Sequence, residues 1–299
     1  MGPTRAHTHL FFAIALCVWT VVLQGAVYTD ALGRKLMLDQ EPRRIVTLAP
    51  SLTEIVYFLG LGDRVVGVTQ FSSYPLEAQS KPKVGSYVNL SVEQIISLAP
   101  DLVIGTADGN RPAIVELLEK AGIPVFVVNP RNTREVIQTI RDIGHLCGVA
   151  DKAQVLAGKL SRRVDRIVAK TSGLDKPLVF LQVSTRPLMT VNADTFSSDL
   201  IRLAGGRNLA DQEPIRYPRL SIEEVIGREP QVIIVSSMER GGEFEQVRQQ
   251  WLGMPMIPAA KTGRVYLVDS DLIDRPSPRI VEGLELLARD IHPEADWGH

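Results

Sequence analysis

Apolar and polar positions alternate along the chain in two different periods, one typical of buried strands and one typical of helices. Short β-branched runs end at Pro or Gly, and amphipathic segments with glycine at their ends follow them. In the first half the pattern predicts strands at 43–50, 64–68, 101–106 and 124–128, and helices at 51–62, 92–98 and 111–122. This order favours a mainly parallel sheet covered on both faces.

The same alternation starts again after residue 173. Strands are predicted at 177–184 and 263–268, and helices at 195–206, 244–251 and 277–291. Between the halves, 133–147 and 151–171 read as helices. The predicted fold is therefore α/β, with two similar lobes at 27–148 and 174–299 joined by one rigid linker helix at 149–173. A cleft between two lobes is a common place for a small ligand.

One unit of sequence occurs twice, 130 positions apart. Residues 87–104 read YVNLSVEQIISLAPDLVI and residues 217–234 read YPRLSIEEVIGREPQVII, which match at seven of eighteen places without a gap. Each copy contains a helix and a strand that lie in the middle of its half. The duplication thus supports two lobes of the same construction.

Serine residues mark the predicted helix starts. Ser91 and Ser221 precede the two helices of the repeat, and Ser51 is the cap residue at the start of the helical segment 51–62, with Glu54 three residues later. A serine followed by an acid at that spacing is typical of a capping box, in which both side chains hydrogen bond to backbone amides. We expect Ser51 and Glu54 to form one.

Charge and cysteine content narrow the class of protein. The net charge is −1, which gives no indication of a nucleic-acid partner. Residues 1–26 contain Arg5 and an apolar run of fourteen ending near Ala26, the pattern of a secretory signal, so export is predicted. Cleavage and retention as a membrane anchor both stay open. The rest of the chain has a single cysteine, Cys147, expected to be a buried apolar residue.

No catalytic or metal-binding motif is recognisable. The chain lacks the H-E-x-x-H, C-x-x-C, G-x-S-x-G and phosphate-loop patterns, and its few histidines are dispersed. We therefore predict that the protein is not an enzyme and has neither a metal site nor a cofactor of its own. What stands out instead is aromatic residues in loops, namely Phe71, Tyr74, Tyr87 and Tyr217, which suit a bulky, ring-shaped ligand.

Two acids share one position of the repeat. Glu93 and Glu223 each lie two residues after the capping serine, in the first turn of a helix. Acids there stabilise a helix. In two similar lobes they would also form a roughly two-fold pair, which a two-fold partner carrying arginines could engage.

The segments RRIVTLAPSLTEIVYFLGLGDRVVGVTQFSSYP, VEQIISLAPDLVIG, LIRLAGGRNLA and RPSPRIVEGLELLA together resemble the extracytoplasmic substrate-binding proteins of ABC importers for cobalamin, haem and ferric siderophores. The resemblance covers residues 40–292 and implies a helical-backbone periplasmic binding protein. It also implies a monomer that delivers its ligand to a two-fold ABC permease in the inner membrane.

Within that family the chain is most similar to the cobalamin-binding members. The resemblance implies ligand contacts at Phe71, Tyr87, Tyr217 and Asp271, and permease docking at Glu93 and Glu223. Tyrosine occupies 87 and 217 where those members have tryptophan. A ferric siderophore or haem therefore stays open as the ligand, as do an enzyme or a ligand sensor of the same architecture.

Overall fold

The computed structural model describes Gly2, residues 26–236 and residues 243–298. All of the predicted signal segment 1–26 except Gly2 and Ala26 lies outside these residues. The strands are β1 Ala26–Thr29, β2 Lys35–Leu38, β3 Ile45–Thr47, β4 Val65–Gly67, β5 Leu102–Thr106, β6 Val125–Val128, β7 Leu178–Gln182, β8 Ser184–Thr185, β9 Leu188–Met189, β10 Arg207–Asn208, β11 Val232–Val235 and β12 Val265–Leu267. The helices are α1 Pro50–Phe58, α2 Val92–Ser97, α3 Pro112–Lys120, α4 Thr133–Leu146, α5 Ala150–Thr171, α6 Phe196–Leu203, α7 Ile222–Gly227, α8 Glu243–Leu252, α9 Pro258–Lys261, α10 Ser270–Ile273 and α11 Ile280–Ile291.

Each lobe is built on one four-stranded parallel sheet, and the two sheets have the same strand order. In the first the order is β4-β3-β5-β6, and in the second it is β10-β7-β11-β12. Apart from the small hairpins β1–β2 and β8–β9, both sheets thus place their second strand at an edge and their third strand beside the first. The predicted α/β fold of two similar lobes is confirmed.

The two copies of the repeat occupy equivalent places. The helix and strand of the first copy are α2 and β5, and those of the second are α7 and β11. β5 and β11 are each the third strand of their sheet and have a neighbour on both sides. The repeat therefore forms the interior of each lobe, as its position in the sequence predicts.

Both faces of each sheet are buried, in two different clusters. On β11, Val232 and Ile234 belong to one large apolar cluster, whereas Ile233 and Val235 belong to another. This alternation follows from the period of two along a strand. The large cluster contains residues of both lobes and of α5, so the linker helix is packed into a core that the lobes share. Cys147 is a buried free thiol in the same cluster, as expected.

The predicted linker at 149–173 contains α5, which spans Ala150–Thr171. The chain passes between the lobes through this helix, which packs against α4, α6 and α11. The residue limits of the lobes remain a prediction. In the part of the chain with assigned structure, none of the helices has the length and apolar character needed to cross a bilayer.

Each copy of the repeat ends its helix with a residue in the left-handed region. Ala99 has φ 43° and Glu229 has φ 54°, each directly before a proline, and both side chains are exposed. Glycine is the usual residue at this place because other residues lose roughly 1–2 kcal/mol in the left-handed conformation. The repeat thus carries the same backbone strain twice.

We expect the Ala99→Gly/Glu229→Gly double variant to be more stable than the wild type. Relief of the strain exceeds the extra chain entropy that glycine loses on folding, so the free energy of unfolding should rise by about 1 kcal/mol. Urea unfolding measures this change. The control is Glu116→Gly in the middle of α3, where glycine should destabilise by about 1 kcal/mol. A loss of stability in both variants would contradict the argument.

Candidate functional site

A cavity of about 600 Å³ lies between the two lobes. In the first lobe its walls include residues at or after the ends of the four parallel strands: Ala49 to Ser51 after β3, Phe71 after β4, Thr106, Asp108 and Gly109 at the end of β5, and Pro130 after β6. In the second lobe they come from α6, from the loop before α7 and from 270–276. Open parallel sheets bind ligands at this carboxyl edge of the strands.

The structure places all four predicted ligand-contact residues around this one cavity. Phe71, Tyr87, Tyr217 and Asp271 each contribute to its lining. Phe71 is 52% exposed and Tyr217 is 40% exposed, so their rings have surface left for a ligand to cover. Their contact with a ligand remains a prediction.

Tyr87 is held in place by its own lobe. Asn110 donates hydrogen bonds from Nδ2 to the Tyr87 carbonyl oxygen at 3.1 Å and to the Leu48 carbonyl oxygen at 3.0 Å. Gly109 has φ 120°, and a side chain there would overlap the Tyr87 ring. Glycine thus allows the ring to lie against the backbone at the cavity wall.

Both cavity tyrosines remain protonated phenols near neutral pH. Burial raises the pKa of Tyr87 and also that of Tyr217, and the carboxylate of Asp108 raises both further. A neutral phenol offers an apolar ring face and one O–H donor.

The cavity lining is acidic. It contains three aspartates, Asp108, Asp271 and Asp274, and Arg275 is the one cation that lines it within residues 26–236 and 243–298. The Arg275 guanidinium lies 2.8 Å from the Asp271 carboxylate and 3.6 Å from that of Glu54. An anionic ligand would therefore compete with two carboxylates for this arginine.

An ionic network joins the lobes beside the cavity. Glu54 of α1 is only 3% exposed, and its carboxylate accepts two hydrogen bonds from Arg279, at 2.8 Å from Nε and 2.7 Å from Nη2. The guanidinium of Arg279 also stacks on Tyr74, 4.1 Å from the ring centroid. Glu54 belongs to the first lobe and Arg279 to the second, so this ion pair links the two lobes.

The predicted capping box of Ser51 and Glu54 is therefore wrong. Helix α1 begins at Pro50 with Ala49 as its N-cap residue, and no side chain caps it. Proline at the first position removes one unpaired amide, which lessens the need for a cap. The Glu54 carboxylate is used across the lobe boundary instead.

Glu93 and Glu223 lie in the first turns of α2 and α7, the helices that precede β5 and β11. The capping serines accept hydrogen bonds from Gln94 N at 3.3 Å and from Glu224 N at 3.1 Å, so both helices start as predicted. α2 ends near the start of β5, and β5 ends in the cavity wall, so the first turn of α2 lies on the cavity side. The same topology holds for α7 and β11. Both acids are exposed.

Several cavity residues escaped the sequence analysis, among them Phe196 and Asp274. Phe196 lines the cavity from the first turn of α6, and Asp274 lines it just after α10. Phe196 directly follows the N-cap residue Thr195, and that position could have pointed to it. For Asp274 no pattern in the sequence gave a signal, because its surroundings come from distant segments.

Two further depressions, of about 720 and 770 Å³, lie along the lobe boundary. The first is lined mainly by charged and small polar side chains, and the second lies beyond Glu54 and Arg279, against α5. Neither contains the tyrosines of the repeat. The cavity at the carboxyl edge therefore remains the candidate site.

Comparison with known proteins gives one family. A model described as periplasmic binding protein matches residues 45–272. A vitamin B12-binding protein of Vibrio parahaemolyticus is 31% identical over 86% of this chain and 93% of its own. An ABC transporter substrate-binding lipoprotein of Bacillus subtilis, itself uncharacterized, is 35% identical over 89% of this chain and 85% of its own.

Solved structures of two ligand classes are about equally similar. The periplasmic vitamin B12-binding protein of Vibrio cholerae has a TM-score of 0.76 and 28% identity, covering 84% of this chain and 97% of its own. The periplasmic heme-binding protein of Roseiflexus sp. RS-1 has a TM-score of 0.75 and 27% identity, covering 84% of this chain and 98% of its own. Similarity of fold therefore does not choose between the two ligands.

Proposed function

The chain belongs to the periplasmic binding protein family, and on that premise we propose that it is the substrate-binding component of an ABC importer. It captures a corrinoid between its lobes and delivers it to a membrane permease. The main support for this function is the cavity between the lobes. Each lobe contributes the tyrosine of its repeat to the cavity lining, and Phe71 and Phe196 line the same cavity. Membership of a family of binding proteins also agrees with the prediction that the chain is not an enzyme.

Related proteins named for vitamin B12 support the corrinoid. A corrinoid is a broad ring whose edge carries uncharged carboxamides. Aromatic side chains can cover the ring, and carboxylates and phenols can hydrogen bond to the amides. We propose that Phe71, Tyr87 and Tyr217 pack on the ring and that Asp271 contacts its edge.

Haem is the second candidate, because a heme-binding protein has nearly the same similarity of fold. The electrostatics of the cavity oppose it. Haem carries two propionates, whereas the one arginine that lines the cavity within the described residues is already between Asp271 and Glu54. Asp108 adds a further carboxylate to the lining, with Arg216 at 3.9 Å from it. Like charges brought together in a binding site cost several kcal/mol. A ferric siderophore bearing net negative charge meets the same obstacle.

Titration of the purified protein with cyanocobalamin and, separately, with haem tests the ligand. We expect saturable one-to-one binding of cyanocobalamin and a rise in melting temperature, since a ligand at 100 times its Kd adds about 2.7 kcal/mol of stability. Calorimetry or quenching of tryptophan fluorescence gives the Kd. Tight haem binding without a response to cyanocobalamin would overturn the corrinoid assignment.

We place the protein outside the inner membrane as a monomer, consistent with an exported chain and with the lipoprotein relative of Bacillus subtilis. Its partner is a two-fold ABC permease, with Glu93 and Glu223 as the docking acids. The two lobes share one strand order, so the acids are offered by equivalent helices. Exposed ion pairs contribute about 0–1 kcal/mol each, so docking through them fixes the register of a transient complex.

A further inference from the structure

Asp274 occupies the cavity wall at the carboxyl end of an interior strand. The Ser236 hydroxyl donates a 2.7 Å hydrogen bond to Oδ2 of Asp274. Ser236 is fully buried and directly follows β11, so it anchors the carboxyl group to the strand. This aspartate is therefore a fixed part of the wall.

The charges around Asp274 oppose a second negative charge there. On its own segment lie Asp269, Asp271 and Arg275, and from the loop before α7 comes the phenol of Tyr217, which in turn is near Asp108. Burial raises the pKa of Asp274 to about 7, and Asp271 and Asp269 add to this effect. The hydrogen bond from Ser236 and the charge of Arg275 act in the opposite direction.

We propose that Asp274 determines ligand class at this site: as an uncharged carboxylic acid it hydrogen bonds to an amide of the ligand, and once ionised it repels a ligand carboxylate at the same place. The inference rests on the proposed function and refines its chemistry. A carboxylic acid has one O–H donor and a carbonyl acceptor, which complement the acceptor and donors of a carboxamide. A ligand carboxylate would face Asp274 together with Asp271 and Asp108.

Ligand affinity should depend on pH through the protonation of Asp274. Below about pH 7 the acid form is already present and donates to the ligand. Above it, binding must first protonate Asp274, because a covered carboxylate beside other acids is unfavourable. We therefore expect the affinity for the ligand to be highest in mild acid and to fall as pH rises. The total fall is about tenfold for each unit by which the bound ligand raises the pKa of Asp274.

The experiment measures the Kd of cyanocobalamin between about pH 5.5 and 8.5 for the wild type, Asp274→Asn and Ser236→Ala. We expect the wild-type Kd to rise at least about tenfold across this range. Asp274→Asn mimics the acid form and should keep a flat Kd near the wild-type value in acid. Ser236→Ala removes a hydrogen bond to the carboxylate, so its rise should begin at higher pH.

A second arm uses cyanocobalamin derivatives in which side-chain amides are hydrolysed to carboxylates. At about pH 8.5, where Asp274 is ionised, the wild type should bind them at least about tenfold more weakly than cyanocobalamin, and Asp274→Asn should narrow that ratio. Thermal unfolding of each variant confirms that it is folded.

The outcomes separate the two claims. If the wild type does not bind cyanocobalamin at any pH, the corrinoid function fails. If it binds tightly with a flat pH profile, or if Asp274→Asn follows the wild-type profile, the role of Asp274 is overturned and the function stands.

Discussion

We expect a Glu93→Lys/Glu223→Lys double variant to lose ligand uptake while its Kd for the ligand stays at the wild-type value. Both acids are exposed and neither lines the cavity, so ligand binding should not respond. Docking should respond strongly, because the change replaces two attractions to permease arginines by two repulsions, and like charges across an interface cost several kcal/mol. Uptake of labelled cyanocobalamin by cells that contain the permease measures the effect.

The matched control for docking is Glu116→Lys/Glu229→Lys. It reverses one exposed acid per lobe, so the change of net charge is the same, but Glu229 lies at the other end of α7 from Glu223. This control should retain uptake. The docking variant also loses the favourable acid in two helix first turns, about 0.3–1 kcal/mol each, which thermal unfolding will record. Normal uptake by the docking variant would refute the assignment of these two acids.

Loss of the cross-lobe ion pair should have the largest effect on stability. In Arg279→Met the Glu54 carboxylate stays buried and loses its two short hydrogen bonds, while Arg275 remains at 3.6 Å. Removing one partner of a buried pair typically costs about 3–5 kcal/mol. Urea unfolding should show a loss of about that size. Glu54→Met/Arg279→Met, which removes both charges, should recover most of it.

Arg163→Met serves as the control for this loss. Arg163 pairs with Glu285 at 2.8 Å, a similar distance, but the two side chains are 37% and 31% exposed. Exposed pairs contribute about 0–1 kcal/mol, so this variant should remain near wild-type stability. Equal losses for Arg163→Met and Arg279→Met would show that burial is not what gives the cross-lobe pair its strength.

The repeat made most of the architecture predictable. Because 87–104 and 217–234 share their spacing of capping serine, apolar residues and proline, they could be assigned to equivalent elements before any coordinates were known. The structure gives β5 and β11 the same place in their sheets. Short elements were harder to find. β10 has two residues, one of them the exposed Arg207, and two residues cannot show a period.

Without the family resemblance, which added Asp271, the candidate cavity could be predicted only where aromatic residues occupied loops after strands or before helices. Tyr87 and Tyr217 belong to the repeat, so each supported the other. Glu54 was interpreted locally because its true partner, Arg279, lies 225 residues away. Asp274 shows the same limit, since its pKa depends on Ser236 from another segment. The partners of both carboxylates lie on distant segments, and hydrophobic periodicity contains no information on such contacts.

The division of the strands also sets an order of assembly. All strands of the first sheet lie within residues 45–128, and all strands of the second lie within 178–267. Each four-stranded sheet is therefore formed by one continuous part of the chain. The earlier half can complete its sheet while the later half is still being synthesised, since domains fold as units from the N-terminal side. Arg279 and α11 come after both sheets, so the contact between Glu54 and Arg279 can form only once the second sheet has been synthesised.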